Sequence, residues 1–109
     1  MQSAAVAEDK IFQALADPSR RAIFESLALG EAAVKDLTAR FDISQPAVSQ
    51  HLAALKDAGL VNRRREGRCV YYRVESRGMK PLIDWIAHYR AFWREHVDRL
   101  ERLLEKMDE

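Results

Sequence analysis

The hydrophobic period of this 109-residue chain changes at Gly59 and again near Gly78, and few folds accommodate that order. Before Gly59, apolar residues recur every three or four positions, the spacing that gathers side chains on one face of a helix. Leu60-Val61 and Val70-Tyr71-Tyr72-Arg73-Val74 instead concentrate β-branched and aromatic residues on either side of Glu66-Gly67, which predicts a hairpin over 60–74. After Gly78 the helical period returns and runs to Met107. The order predicts a mainly α fold with a β-hairpin wing (an α+β arrangement), built as one domain over 1–109 because no linker or repeat divides it.

Start and stop signals divide the first helical stretch. Residues 1–8 are expected to be disordered. A helix over 9–16 presents Ile11, Phe12 and Leu15. Asp17-Pro18-Ser19 reads as an N-cap with proline at the first helical position, and the helix it opens turns Ala22, Ile23, Phe24 and Leu27 inward before Gly30 ends it. A short helix from Ala33 to Arg40 carries Val34 and Leu37. Ser44-Gln45-Pro46 is a second cap-and-proline start, for a helix with Val48, Leu52 and Leu55 on one face that stops at Ala58-Gly59. Two helices of a few turns joined by a tight connection, over 33–58, are the layout of a helix-turn-helix.

The last helix, over 78–107, has Leu82, Ile86, Tyr89, Trp93, Val97, Leu100, Leu104 and Met107 in steps of three and four. So long a seam exceeds what a small body can cover. Packing on the chain's own first helix is one outlet. Pairing with the same helix of a second copy is the other and the preferred one, since two-fold dimers are the commonest closure. The expected homodimer interface comprises Ile11, Phe12 and Leu15 from the first helix, with Ile86, Tyr89, Trp93, Val97, Leu100 and Leu104 from the last.

Net charge is only +1, so total charge says nothing about a nucleic-acid partner and its distribution must. A single cysteine, Cys69, rules out an internal disulfide and a Cys-rich metal site within one chain. Met1 to Lys10 lacks the pattern of a secretory leader, and no apolar run approaches the roughly 20 residues of a membrane span. No membrane partner and a cytoplasmic setting are expected. No nucleophile motif, phosphate loop or carboxylate pair surrounds His51, His88 or His96, so an enzyme is not expected.

Charge concentrates on the hairpin, where Arg63, Arg64, Arg65, Arg68 and Arg73 face a single acidic residue, Glu66. Successive strand residues project to opposite faces, so such a run does not fill a core. Beside it, the helix opening at Ser44 exposes Ser44, Gln45, Ser49 and Gln50. Glutamine pairs bidentately with an adenine edge, serine suits base edges or phosphate, and the small Ala47 permits close approach to a groove. A helix with an adjoining basic loop fits double-stranded DNA: the helix reads bases while the loop clamps phosphate or enters the minor groove. Tyr72 completes the candidate contact set. A protein-interaction module using Trp85, Tyr89, Phe92 and Trp93 is the rival reading, and the arginines favour DNA.

The stretches Ala14-Leu15-Ala16-Asp17-Pro18-Ser19-Arg20-Arg21-Ala22-Ile23, Ser44-Gln45-Pro46-Ala47-Val48-Ser49-Gln50-His51-Leu52 and Leu55-Lys56-Asp57-Ala58-Gly59-Leu60-Val61 resemble, in order and spacing, the ArsR family of winged-helix repressors. Arg65-Glu66-Gly67-Arg68 with Tyr71-Tyr72-Arg73 continues the resemblance. It implies a dimeric repressor, commonly of its own operon, acting at an inverted-repeat operator. By position it implies that Gln45, Pro46, Ser49 and Gln50 face the major groove and that Arg64, Arg65 and Arg68 serve the wing.

The metal-sensing members of that family carry thiolates near the start of the third helix, where this chain has Ala33 and Lys35. Their other site pairs Asp-x-His with His-x-x-Glu on the last helix. Here Asp84 is followed by Ile86, and His96 by Arg99, so that pattern also fails. A looser stripe of Asp84, His88 and Glu95, with His96 at its edge, has oxygen and imidazole ligands suited to zinc. The alternative for the stripe is helix-surface ion pairing with Arg90 and Arg94 nearby. The expectation is no cofactor, no typical metal sensing, and no effector assigned by these residues.

Overall fold

The computed structural model describes residues 4–108. Its elements are α1 (Ala4–Ala16), α2 (Pro18–Leu29), β1 (Ala32–Ala33), α3 (Val34–Phe41), α4 (Gln45–Asp57), β2 (Val61–Glu66), β3 (Cys69–Val74), a 3-10 turn (Ser76–Met79) and α5 (Lys80–Met107). The expectation that 1–8 is disordered is corrected over 4–8, which form the start of α1, while residues 1–3 lie outside the described residues.

The cap signals act as read. Asp17 is extended and its carboxylate accepts the backbone N–H of Arg20 at 3.0 Å, satisfying one of the free donors at the start of α2. α3 ends where Asp42 takes φ 50, a left-handed conformation that a short polar side chain tolerates. α4 ends in a Schellman motif: Gly59, at φ +80, donates its N–H to the carbonyl of Lys56 at 2.9 Å, and Leu60 donates to that of Leu55 at 3.0 Å.

The sheet has three antiparallel strands in the order β1-β3-β2. In the hairpin, Val61 pairs with Val74 and Glu66 with Cys69, leaving Gly67-Arg68 as a two-residue turn. Only Gly67 of that pair has positive φ (62), the pattern of a type II′ turn, which matches the strand twist. β1 has no local signal in the sequence. Its two alanines become a strand because Ala32 pairs with Tyr72 and Ala33 with Tyr71, which ties the wing to the body and moves the start of α3 to Val34.

Ile11, Ile23, Leu37, Val48, Leu52, Leu55 and Leu60 are fully buried and form one core with Leu27, Val61 and Tyr72. Each such aliphatic burial contributes about 1.5–3 kcal/mol, so this set holds α1 to α4 and the root of the wing together. Ile11 is thereby corrected: at 1% exposure it belongs to its own chain's core and is not available to a partner. Leu15 packs against the same core, whereas Phe12 stays exposed and meets Trp85 of α5 edge to face, ring centroids 5.4 Å apart.

α5 leaves this body as it proceeds. Leu82 packs on the core and Trp85 is half-buried, but every residue from Ile86 to Asp108 is exposed. No helix among the described residues is long and apolar enough to cross a membrane.

Candidate nucleic-acid interface

Ser44 sits at the N-cap of α4 in extended conformation, its hydroxyl accepting the N–H of Ala47 at 3.2 Å, and Pro46 occupies the first turn. The cap sets the phase of the helix. Val48, Leu52 and Leu55 anchor one face in the core, which leaves Ser44, Gln45, Pro46, Ser49 and Gln50 exposed on the other, with Ala47 half-buried. The remaining free N–H groups of the first turn favour an anion there.

This exposed face forms one wall of a groove of about 480 Å³ whose other walls are the start of α3 and the wing. Gln45, Ser49 and Ala53 line it from α4, Lys35 from α3, and Arg63, Arg68 and Cys69 from the hairpin. Three cations thus surround a glutamine and a serine on one concave surface. Lys35 was absent from the candidate set. Its only sequence cue is a basic residue on the helix before the reader, and its position beside Gln45 and Ser49 arises from the packing of α3 on α4.

Strand parity sorts the arginines. Arg63 and Arg65 pair with Tyr72 and Val70, on the face that turns toward α4 and the core. Arg64 pairs with Tyr71 on the opposite face, and its guanidinium is engaged there. It donates to Glu31 (Nε to Oε2, 3.0 Å; Nη2 to Oε1, 2.6 Å) and to Glu66 Oε2 at 2.7 Å, and lies 4.7 Å from the centroid of the Tyr71 ring. Arg64, expected as a wing contact to DNA, is thus paired within its own chain in this structure. Glu31 is held below its ordinary carboxylate range, first by those hydrogen bonds and further by the charges of Arg64 and Arg73.

Tyr72 is a buried residue rather than an exposed contact: it is 8% exposed, part of the core and paired with Ala32, and from there it also lines the groove. His51 lies on the inner shoulder of α4, half-buried, with its Nδ1 buried and unpaired. Cys69 is a free, half-buried thiol on the groove wall.

The possible metal ligands do not converge. Asp84 accepts from Lys80 at 2.7 Å, Glu95 accepts from Arg99 at 3.3 Å, His96 Nδ1 lies 3.0 Å from the carbonyl oxygen of Phe92, and His88 meets the Tyr89 ring edge-on. Among the described residues no three His, Cys, Asp or Glu side chains gather to hold an ion. At the thiolate positions, Ala33 is buried and Lys35 is exposed on the groove, and neither can ligate a soft metal. The residues present do not fit that group.

The model of the bacterial regulatory protein arsR family matches residues 17–63, from the cap of α2 into β2. The chain is 32% identical over 81 residues to the transcriptional repressor SdpR of Bacillus subtilis, covering 74% of this chain and 90% of that protein. It is 47% identical over 74 residues to the HTH-type transcriptional regulator Rv2034 of Mycobacterium tuberculosis, covering 68% and 69%. The crystal structure of the ArsR family transcriptional regulator RHA00566 superposes with a TM-score of 0.74 at 32% identity, covering 86% of this chain and 97% of that one.

Proposed function

The chain belongs to the ArsR family of bacterial regulatory proteins and is a DNA-binding transcription regulator, and from that premise we propose that it represses transcription as a homodimer on an inverted-repeat operator. The observation that carries this reading is the groove in which the capped polar face of α4 is flanked by Lys35, Arg63 and Arg68. In this reading Gln45, Ser49 and Gln50 contact base edges in the major groove, where glutamine favours adenine. Lys35, Arg63, Arg65 and Arg68 meet phosphate along the flanks, fixing register and supplying salt-dependent affinity.

The exposed seam of α5 supports the dimer part of this reading. Tyr89, Trp93, Val97, Leu100 and Leu104 are large apolar residues exposed in one chain, along steps of three and four, and Phe12 lies beside the start of that seam. A second copy of the same helix covers such a seam by symmetry. Two-fold pairing also carries two copies of α4 to successive major grooves about 34 Å apart, which is why the operator is an inverted repeat. An RNA polymerase excluded from overlapping DNA is then blocked without any chemistry by the protein.

The test is fluorescence anisotropy on the DNA upstream of the chain's own gene, against a scrambled duplex of equal length, first in EDTA and then with zinc. Tight binding to the upstream DNA over the scrambled duplex, unchanged by zinc, is the expected result. Equal affinity for both duplexes sinks the operator reading, and release by zinc would make Asp84, His88, Glu95 and His96 the residues to mutate next.

A further inference from the structure

One wing arginine differs from its neighbours, and we infer that Arg64 is a positioning residue: it straps the wing to the body across the outer face of the sheet and sets the angle at which Arg65 and Arg68 meet DNA. The inference rests on the DNA-binding reading above for its consequence, though not for the strap itself.

The geometry spans all three strands. Arg64 lies on β2, the edge strand of the hairpin, while Glu31 immediately precedes β1, the opposite edge. To reach Glu31 the Arg64 side chain must cross β3, and it does so with its guanidinium 4.7 Å from the Tyr71 ring centroid. At the far side Glu31 takes two parallel donors, from Nε at 3.0 Å and Nη2 at 2.6 Å, and the remaining Nη1 is held by Glu66 at 2.7 Å. A planar guanidinium with two carboxylates and an aromatic face has little left to offer a phosphate. The β1 strand that follows Glu31 is only two residues long, so little backbone pairing joins the hairpin to the body and the Arg64–Glu31 contact adds to it. Arg63 and Arg65 lie on the opposite face, and among the described residues the only hydrogen bond of Arg63 outside the sheet is from its backbone N–H to Asn62 Oδ1.

Lysine separates a strap from a clamp, because it keeps the charge and loses the fork. Full-length Arg64→Ala, Arg64→Lys, Glu31→Gln and Arg65→Ala are compared in two measurements. In amide hydrogen exchange without DNA, Arg64→Ala, Arg64→Lys and Glu31→Gln each speed exchange in the wing while Arg65→Ala leaves it unchanged. In anisotropy against a short mixed-sequence duplex, both Arg64 variants bind several-fold more weakly with the wild-type salt slope, whereas Arg65→Ala lowers the slope by about 0.9. The inference is overturned if wing exchange is unaffected by the Arg64 and Glu31 changes. It is equally overturned if Arg64→Lys binds as wild type, Arg64→Ala loses about 0.9 of slope, and Glu31→Gln tightens binding, since Arg64 is then a phosphate clamp that Glu31 restrains. Failure of the wild-type chain to bind any duplex would sink the DNA reading instead, and the exchange measurement still decides the strap.

Discussion

Gly78 and Gly59 touch backbone to backbone: a Cβ added at Gly78 would overlap the carbonyl group of Gly59. Gly59 closes α4, the helix that presents Gln45 and Ser49, and Gly78 lies in the turn that launches α5. A neighbouring hydrogen bond, Glu75 N–H to the carbonyl of Leu60 at 2.9 Å, fastens the same junction. The end of the groove-lining helix and the start of the long helix are therefore joined by main chain, which cannot swing aside as a side chain does. Gly78→Ala is expected to cost about 1–3 kcal/mol, the range for forcing an extra methyl into a packed site. Gly30→Ala, where an added Cβ meets nothing within 4 Å, should cost far less. Urea unfolding of both variants checks the contrast, and equal midpoints would show that the junction relaxes freely.

The groove predicts two distinct losses of DNA binding. Arg65→Ala with Arg68→Ala should weaken binding to every sequence and flatten the dependence of log affinity on log salt by about 0.9 for each phosphate contact removed. Gln45→Ala should instead blur discrimination at particular base pairs, by about 1–3 kcal/mol each, with the slope unchanged. Lys35→Ala is expected to behave as the arginines do. Anisotropy titrations over a salt series on matched and mismatched duplexes separate the classes, and indistinguishable variants would refute the division into clamp and reader.

Leu100→Glu with Leu104→Glu should convert the protein to a monomer. Both leucines are more than half exposed in the single chain, so the change removes little from its own body and places charge on the seam where a second copy is proposed to pack. Sedimentation velocity should show half the wild-type mass, with operator affinity reduced at least tenfold because one half-site contact is lost. A variant that sediments as wild type would place the interface elsewhere.

Two carboxylates are expected to contribute to the acid limb of stability. Asp17 is held below its ordinary value of 3.8, first by the Arg20 backbone N–H, and Glu31 below 4.5, first by Arg64. A depressed carboxylate binds fewer protons in the folded state than in the unfolded one, so its contribution is complete above the ordinary value and is lost as pH falls through the folded value. Neutral-range melting temperatures should accordingly be flat with respect to these groups, with loss beginning below about 4.5 for Glu31 and 3.8 for Asp17. Thermal melts of Glu31→Gln should show a shallower acid limb than the wild type, and the difference should shrink in high salt because the Arg64–Glu31 pair is reached by solvent. An unchanged acid limb in that variant would mean that the Arg64 pairing does not persist in solution.

Local chemistry made much of this protein readable in one dimension. Caps and glycine stops act within four residues, so Asp17, Ser44 and Gly59 marked their helix ends without reference to the rest of the chain. The shift from a helical to a strand pattern marked the wing, and the unbroken seam from Leu82 to Met107 marked a helix longer than its own body can cover. The exposed face of α4 was legible for the same reason: once Val48, Leu52 and Leu55 turn inward, helical geometry turns Gln45, Ser49 and Gln50 outward.

What tertiary structure alone decided concerns residues whose role depends on a partner distant in sequence. Ala32 and Ala33 have no strand preference, yet by pairing with Tyr72 and Tyr71 they fix which face of β3 is buried, and Tyr72 goes into the core. The same parity sends Arg64 outward to Glu31, 33 residues away, while Arg63 lines the groove. Ile11 carries the same apolar signal as Phe12, but α1 docks with Ile11 against the core and Phe12 against Trp85. Sequence period determines which residues share a face; only the packing of one element on another determines what that face meets, because contact energy depends on neighbours that the period does not name.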